Sequence, residues 1–302
     1  MTDIEHTARE GGWIRCFLFE GANVRGVIVR LGEAWRQIRQ HDDYPVEIAQ
    51  ALGEMTAASA LMAGDIRMAG KVSIQMRGGA VLKLGFAECS SQGHVRGLAR
   101  WTDAGGDPFA ASALSDAVLA ITIEREQLGQ RYQGLVPLEG ASLAQCLEGY
   151  FAQSEQLPTA IRLFADAQSA AGLLLQQVPP EGGKRSEHDA LTFDHARILA
   201  ATITADELFT LDAEAMLRRL FVEDDVRLFD PVPVRFQCSC SNERVAAMLR
   251  ALGRDEAFAA LGAEGLVEVH CEFCNQRYAF DAVDLEQAMR GDASASGSTS
   301  QQ

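Results

Sequence analysis

Four of the seven cysteines in this 302-residue chain fall in two close pairs, Cys238-Ser239-Cys240 and Cys271-Glu272-Phe273-Cys274. Thirty residues separate the pairs. A Cys-x-x-Cys sequence on a tight turn presents both sulfurs to one ion, and a second close pair completes a tetrahedral shell of four thiolates. Soft thiolate ligands select zinc or an iron–sulfur cluster. No haem or dinucleotide motif competes, and zinc is the preferred ion. The Cys-x-Cys half departs from the commoner ribbon, which has two Cys-x-x-Cys pairs. His270 borders the site, but four thiolates already close the shell. Cys16, Cys89 and Cys146 lie in apolar strand-like or helical runs and read as small buried hydrophobes.

A four-thiolate site is compatible with a structural staple and with a switch. A domain of about 60 residues is marginal on its own core. Structural zinc contributes on the order of 10–16 kcal/mol in small metal domains, and whole-domain stabilities are about 5–15 kcal/mol. Losing the ion therefore removes a contribution as large as the entire stability. Metal thiolates are nucleophilic toward peroxide or hypochlorite, so oxidation of either pair would eject the ion and unfold the domain.

The elements that must carry this site fall into three stretches and a tail. Residues 1–178 read as an α+β core domain built on antiparallel strands. Strand-like runs at residues 13–19 and 24–31 flank a Gly21-Ala22-Asn23 turn. Pro45 opens a helix that ends at Gly64, with Ile48, Leu52, Met55, Ser59 and Met62 on one face. Lys71 to Arg77 alternates apolar and polar residues, Gly78-Gly79 predicts a two-residue hairpin, and Ala80 to Cys89 returns as its partner. His94 to Trp101 extends the meander. Ser142 and Gln145 form a capping-box pattern before an amphipathic helix carrying Leu143, Cys146, Leu147, Tyr150 and Phe151. Two further strands, near residues 160–165 and 172–178, complete the domain.

Pro179-Pro180-Glu181-Gly182-Gly183 marks a boundary. Residues 179–231 hold 12 acids against 6 bases and have helical periodicity. Thr204 with Glu207 resembles a capping box, and Asp212 caps a segment with Met216, Leu217, Leu220 and Phe221 on one side. This stretch reads either as an ordinary docked connector or as a marginal linker, since short helices hold mainly through tertiary packing. Residues 232–290 form a small second domain, with two short strands bracketing the Cys-x-x-Cys turn. Residues 291–302 lack an apolar anchor and read as a disordered tail.

Composition narrows the function classes. Apolar residues make up 47% and charged residues 23% of the chain, which excludes wholesale disorder. Acids outnumber bases 42 to 27, for a formal charge of -15, and that balance disfavours nucleic acid. No apolar leader and no run of about 18 apolar residues is visible, so a cytoplasmic chain with no membrane partner is expected. Thiols in that compartment stay reduced.

With these motifs in place, the chain resembles the bacterial redox-regulated thirty-three-kilodalton heat-shock chaperonin family. The resemblance covers nearly the whole chain. It is carried by Tyr132-Gln133-Gly134-Leu135-Val136-Pro137-Leu138, by YFAQSEQLP from Tyr150 to Pro158, and by EDDVRLFDP from Glu223 to Pro231. RFQCSC from Arg235 to Cys240, and Cys271-Glu272-Phe273-Cys274 followed by Phe280-Asp281, complete it. All four metal cysteines fall on the family's ligands. The resemblance implies an ATP-independent holdase, not an enzyme, that is inactive when reduced and bound to one zinc ion. Oxidation would form disulfides Cys238–Cys240 and Cys271–Cys274, release zinc and unfold the linker. The active form would be a homodimer that holds unfolding client proteins.

Two other function classes fit these residues less well. A thiol–disulfide oxidoreductase using Cys271 and Cys274 needs a reactive thiol at a helix N-terminus in a βαβ unit, whereas the flanks here read as antiparallel strands. A nucleic-acid ribbon needs a basic face, whereas Glu243, Asp255, Glu256, Glu264, Glu268 and Glu272 surround this one.

Overall fold

A computed structural model describes residues 11–64, 70–103, 105–125, 129–179 and 186–290. The expected tail at 291–302 and most of the Pro/Gly boundary at 180–185 lie outside the described residues. The described chain divides into two compact units, with the boundary between Gln237 and Cys238.

The first unit opens with β1 (Gly12–Phe19), β2 (Val24–Arg30), α1 (Glu33–Arg39) and α2 (Val46–Gly64). Next come β3 (Gly70–Arg77), β4 (Leu82–Ser90), β5 (His94–Trp101), β6 (Val118–Arg125) and β7 (Gln130–Val136). The chain continues through α3 (Leu143–Tyr150), β8 (Thr159–Ala165) and β9 (Ala170–Gln177). The helices α4 (Glu187–Ala200), α5 (Ala205–Thr210) and α6 (Ala213–Leu220) and the short strands β10 (Val226–Leu228) and β11 (Val232–Phe236) complete the unit. The architecture is α+β. One large sheet runs in the order β7-β6-β3-β4-β5-β11-β1-β2-β9-β8, and β10 also pairs with β1.

α2 is apolar nearly all round rather than on one face. Between Ile48 and Ala63 only Gln50 and Glu54 reach the surface, the pattern of a helix enclosed by a core. It packs on strands of both halves of the sheet, from β3, β4 and β5 to β2, β8 and β9.

The helices α4 to α6 cover the opposite face of the β1-β2-β9-β8 half. Phe193, Leu208, Met216, Leu217, Leu220 and Phe221 form one cluster with Trp13, Phe17, Phe19, Ile28, Leu173 and Leu175 from the sheet. Local chemistry sets the helix starts. Ser186 with Asp189, and Thr204 with Glu207, form full capping boxes, and Asp212 caps α6 through the Ala215 amide. Asp189 also accepts bonds from the Asn23 amide (2.8 Å) and side chain (3.1 Å), tying α4 to the turn between β1 and β2. Arg30 donates to the carbonyls of Leu208 and Leu211 and lies over the Trp13 ring.

The two-residue hairpin expected at Gly78-Gly79 is corrected to a four-residue connection, residues 78–81. Only Gly78 takes a positive φ, 83°. The Gly78 amide donates to Lys83 O, and Ala80 leaves the ladder to donate to Ala113 O at 2.9 Å. Val232–Phe236, read from sequence as the start of the second domain, is a strand of the first unit's sheet.

The second unit holds α7 (Asn242–Leu252), α8 (Arg254–Ala259), the hairpin β12 (Leu266–His270) and β13 (Arg277–Asp281), and α9 (Ala282–Arg290). Its buried apolar core cluster is Val245, Leu249, Ala257, Val267, Phe280 and Leu285. So small a core is marginal for independent stability.

Candidate metal centre

The Cys-x-x-Cys pair sits at the tip of the β12–β13 hairpin. His270 pairs with Arg277, and beyond that pair the Cys271 amide donates to Gln276 O at 3.0 Å. The Asn275 amide returns to Cys271 O at 2.8 Å, which tightens the turn around the two sulfurs. Asn275 adopts a left-handed φ of 52°, a conformation that asparagine tolerates better than most residues. The second pair lies just before α7, whose N-cap Ser241 accepts from the Arg244 amide. Cap and turn each fix one pair, and the fold brings the pairs together.

All four sulfurs lie within 4.8 Å of one another. The short distances run across the pairs, 3.6 Å from Cys238 to Cys271 and 3.3 Å from Cys240 to Cys274. Four thiolates around one zinc ion at about 2.3 Å stand about 3.8 Å apart, so this spacing fits such an ion. All four cysteines are partly buried and unoxidised.

The electrostatics point the same way. Burial pushes the Cys240 thiol up, but hydrogen bonds from Tyr278, Cys274, Cys238 and Cys271 outweigh it and bring the thiol to about 7. Burial raises Cys238 and Cys274. Protons are thus shared among coupled sulfurs, one ionising easily at the expense of its neighbours. A divalent cation removes that competition by stabilising every thiolate at once.

Sequence spacing did not single out Tyr278, which donates to the Cys240 sulfur. Its signal was its place on β13, two residues from core Phe280, so that both share a strand face. Such outer partners orient ligands and tune their basicity. His270 stands apart from the sulfur cluster, mostly exposed and 4.0 Å from Glu268. Cys89 and Cys146 are buried, and burial raises both thiols. Cys16 is partly buried and donates to Gly64 O at 3.2 Å. These three belong to the packing of the first unit.

Comparison with known proteins agrees along the whole chain. The family model described as Hsp33 protein matches residues 14–281. A 33 kDa chaperonin of Azotobacter vinelandii is 44% identical over 99% of both chains. One from Ectopseudomonas mendocina is 45% identical over 91% of this chain and 94% of its own. The crystal structure of a 33 kDa chaperonin from Thermotoga maritima shares the fold with a TM-score of 0.75. It covers 93% of this chain and 99% of its own at 22% identity.

Proposed function

The chain belongs to the Hsp33 family, and on that premise we propose that it is an ATP-independent, redox-regulated holdase. The four-sulfur cluster in a unit with a six-residue core carries this reading. In the resting state Cys238, Cys240, Cys271 and Cys274 hold one zinc ion, which supplies the fold energy that the small core lacks. Peroxide takes two electrons from each thiolate pair and is reduced to water. Disulfides form between Cys238 and Cys240 and between Cys271 and Cys274, and zinc leaves with no ligand to hold it.

Residues 179–231 act as the linker between a core domain at 1–178 and a redox-switch domain at 232–290, of which the first five residues are the strand β11 seated in the core sheet. Its helices are short and rest on the β1-β2-β9-β8 face, so they depend on tertiary packing. Their release bares Trp13, Phe17, Phe19 and Ile28. A bare apolar face of this kind holds unfolding clients and supports a homodimer of the oxidised form. The acidic surplus, -15 overall, keeps such a surface in solution. No helix among the described residues is long and apolar enough to cross a membrane, in keeping with a cytoplasmic role. The oxidoreductase alternative is disfavoured because the Cys-x-x-Cys pair lies between antiparallel strands rather than at a helix N-terminus.

The test is light scattering from a denatured client mixed with reduced or peroxide-treated chain, with zinc followed by a chromogenic chelator. Suppression of aggregation by the oxidised form alone, together with zinc release, is expected. Equal activity in both states, or zinc retained after oxidation, contradicts the reading.

A further inference from the structure

Among the described residues, the sheet of the first unit is continuous only through one five-residue strand. β11 lies between β5 and β1, parallel to the first and antiparallel to the second. It pairs Arg235 with His94 and Phe236 with Val95 on one side, and Val232, Pro233 and Val234 with Ile14, Trp13 and Gly12 on the other. The segment that leads into it follows the same edge. β10 pairs with residues 17–19, the Phe229 amide donates to Cys16 O at 2.9 Å, and Arg15 donates to Phe229 O at 3.0 Å. Residues 226–236 therefore form a strap along the whole of β1, and it ends two residues before Cys238.

This strap can leave without dismantling the unit. α2 grips strands on both sides of the gap, so the two half-sheets stay mounted on one buried helix. What the strap would leave behind is an open slot with two unpaired strand edges, and such edges recruit a new strand. Its present occupant defines the chemistry of the seat. Val234 is buried, Val232 and Phe236 pack on the main core, and Pro233 and Arg235 point away. The backbone passes so close that a Cβ on Gly93 would stand 2.2 Å from Pro233 O.

We propose that, in the oxidised chain, the slot between β1 and β5 takes up an extended segment of an unfolding polypeptide in place of residues 226–236. This rests on the holdase reading and names where a client is held and by what. Main-chain hydrogen bonds from two edges give affinity without regard to sequence. The inward positions ask only for an apolar residue at every second place. A chain that must hold many different clients gains from that indifference.

Hydrogen–deuterium exchange on the full chain tests it, in the reduced form, after peroxide, and after peroxide with reduced, carboxymethylated lactalbumin as a permanently unfolded client. The backbone amides of Gly12, Ile14 and Val95, which face the strap, are expected to lose protection on oxidation and to regain it with lactalbumin. Protection that persists through oxidation overturns the proposal, because the strap then stays seated. Protection regained without client, in proportion to chain concentration, overturns it in favour of a second copy of this chain. An oxidised chain that holds client while these amides stay exposed overturns the slot alone. One that holds no client overturns the holdase reading and the slot with it.

Discussion

At the scale of single residues, the metal centre depends on geometry that only a few side chains supply. Asn275 holds a left-handed φ of 52° in the turn that presents Cys271 and Cys274. Alanine resists that conformation by about 1–2 kcal/mol, whereas glycine adopts it freely. Asn275→Ala is expected to weaken zinc retention against a competing chelator, and Asn275→Gly to restore it. Cys271→Ser removes a ligand outright, so metal analysis of the purified variant should find zinc lost and the second unit open. Asp189 gives a pH signature. Hydrogen bonds from Asn23 and Ser186 hold its carboxyl well below the usual carboxylate range. A depressed pKa stabilises the fold above the ordinary carboxylate value and loses that contribution as pH falls through the folded one. Asp189→Asn should therefore flatten the acid limb of the reduced chain's stability curve, measured by urea unfolding between pH 7 and pH 3. The four ligands were legible in the sequence because thiolate spacing is itself the chemistry. Tyr278 was not, because its bond to Cys240 arises only when the hairpin folds.

At the scale of elements, the parts that announced themselves were those with local signals. The capping box at Thr204, the N-cap Asp212, the alternation of β3 and the apolar run of α2 each fix an element within a few residues, whereas the capping box at Ser186 emerged only in the structure. The capping box expected at Ser142 is half formed. Its hydroxyl accepts from the Gln145 amide, but the Gln145 side chain reaches Ala141 instead. Less legible were α1, which starts at Gly32 without a side-chain cap, and β7, an edge strand whose residues are mostly exposed. The place of β11 between β5 and β1 follows from pairings more than a hundred residues apart, which no local pattern encodes. The clearest element-scale prediction concerns α6. Met216 is fully buried against the sheet, and Met216→Ala should cost about 2–5 kcal/mol. In a marginal helical layer that loss should raise binding of an apolar dye by the reduced, zinc-loaded chain. A reduced variant as dark as the parent would mean that the layer is held more firmly than its short helices imply.

At the scale of the whole molecule, the two units differ in what holds them. The first is enclosed around α2 by a core that draws on both halves of its sheet. The second has, among its described residues, one core cluster of six buried apolar side chains and four sulfurs. Stripping the metal from the reduced chain is therefore expected to melt the second unit while the strand signal of the first persists in circular dichroism. Loss of both signals together would show that the units do not unfold separately. In the proposed holdase, oxidation, metal loss and client holding form one linked event. The most direct measurement follows all three in one cuvette, with peroxide added to zinc-loaded chain in the presence of a denaturing client. Zinc is expected to appear in solution, and client scattering to stop rising, with the same dependence on oxidant. Scattering suppressed while zinc stays bound, or zinc released with aggregation unchecked, would contradict it.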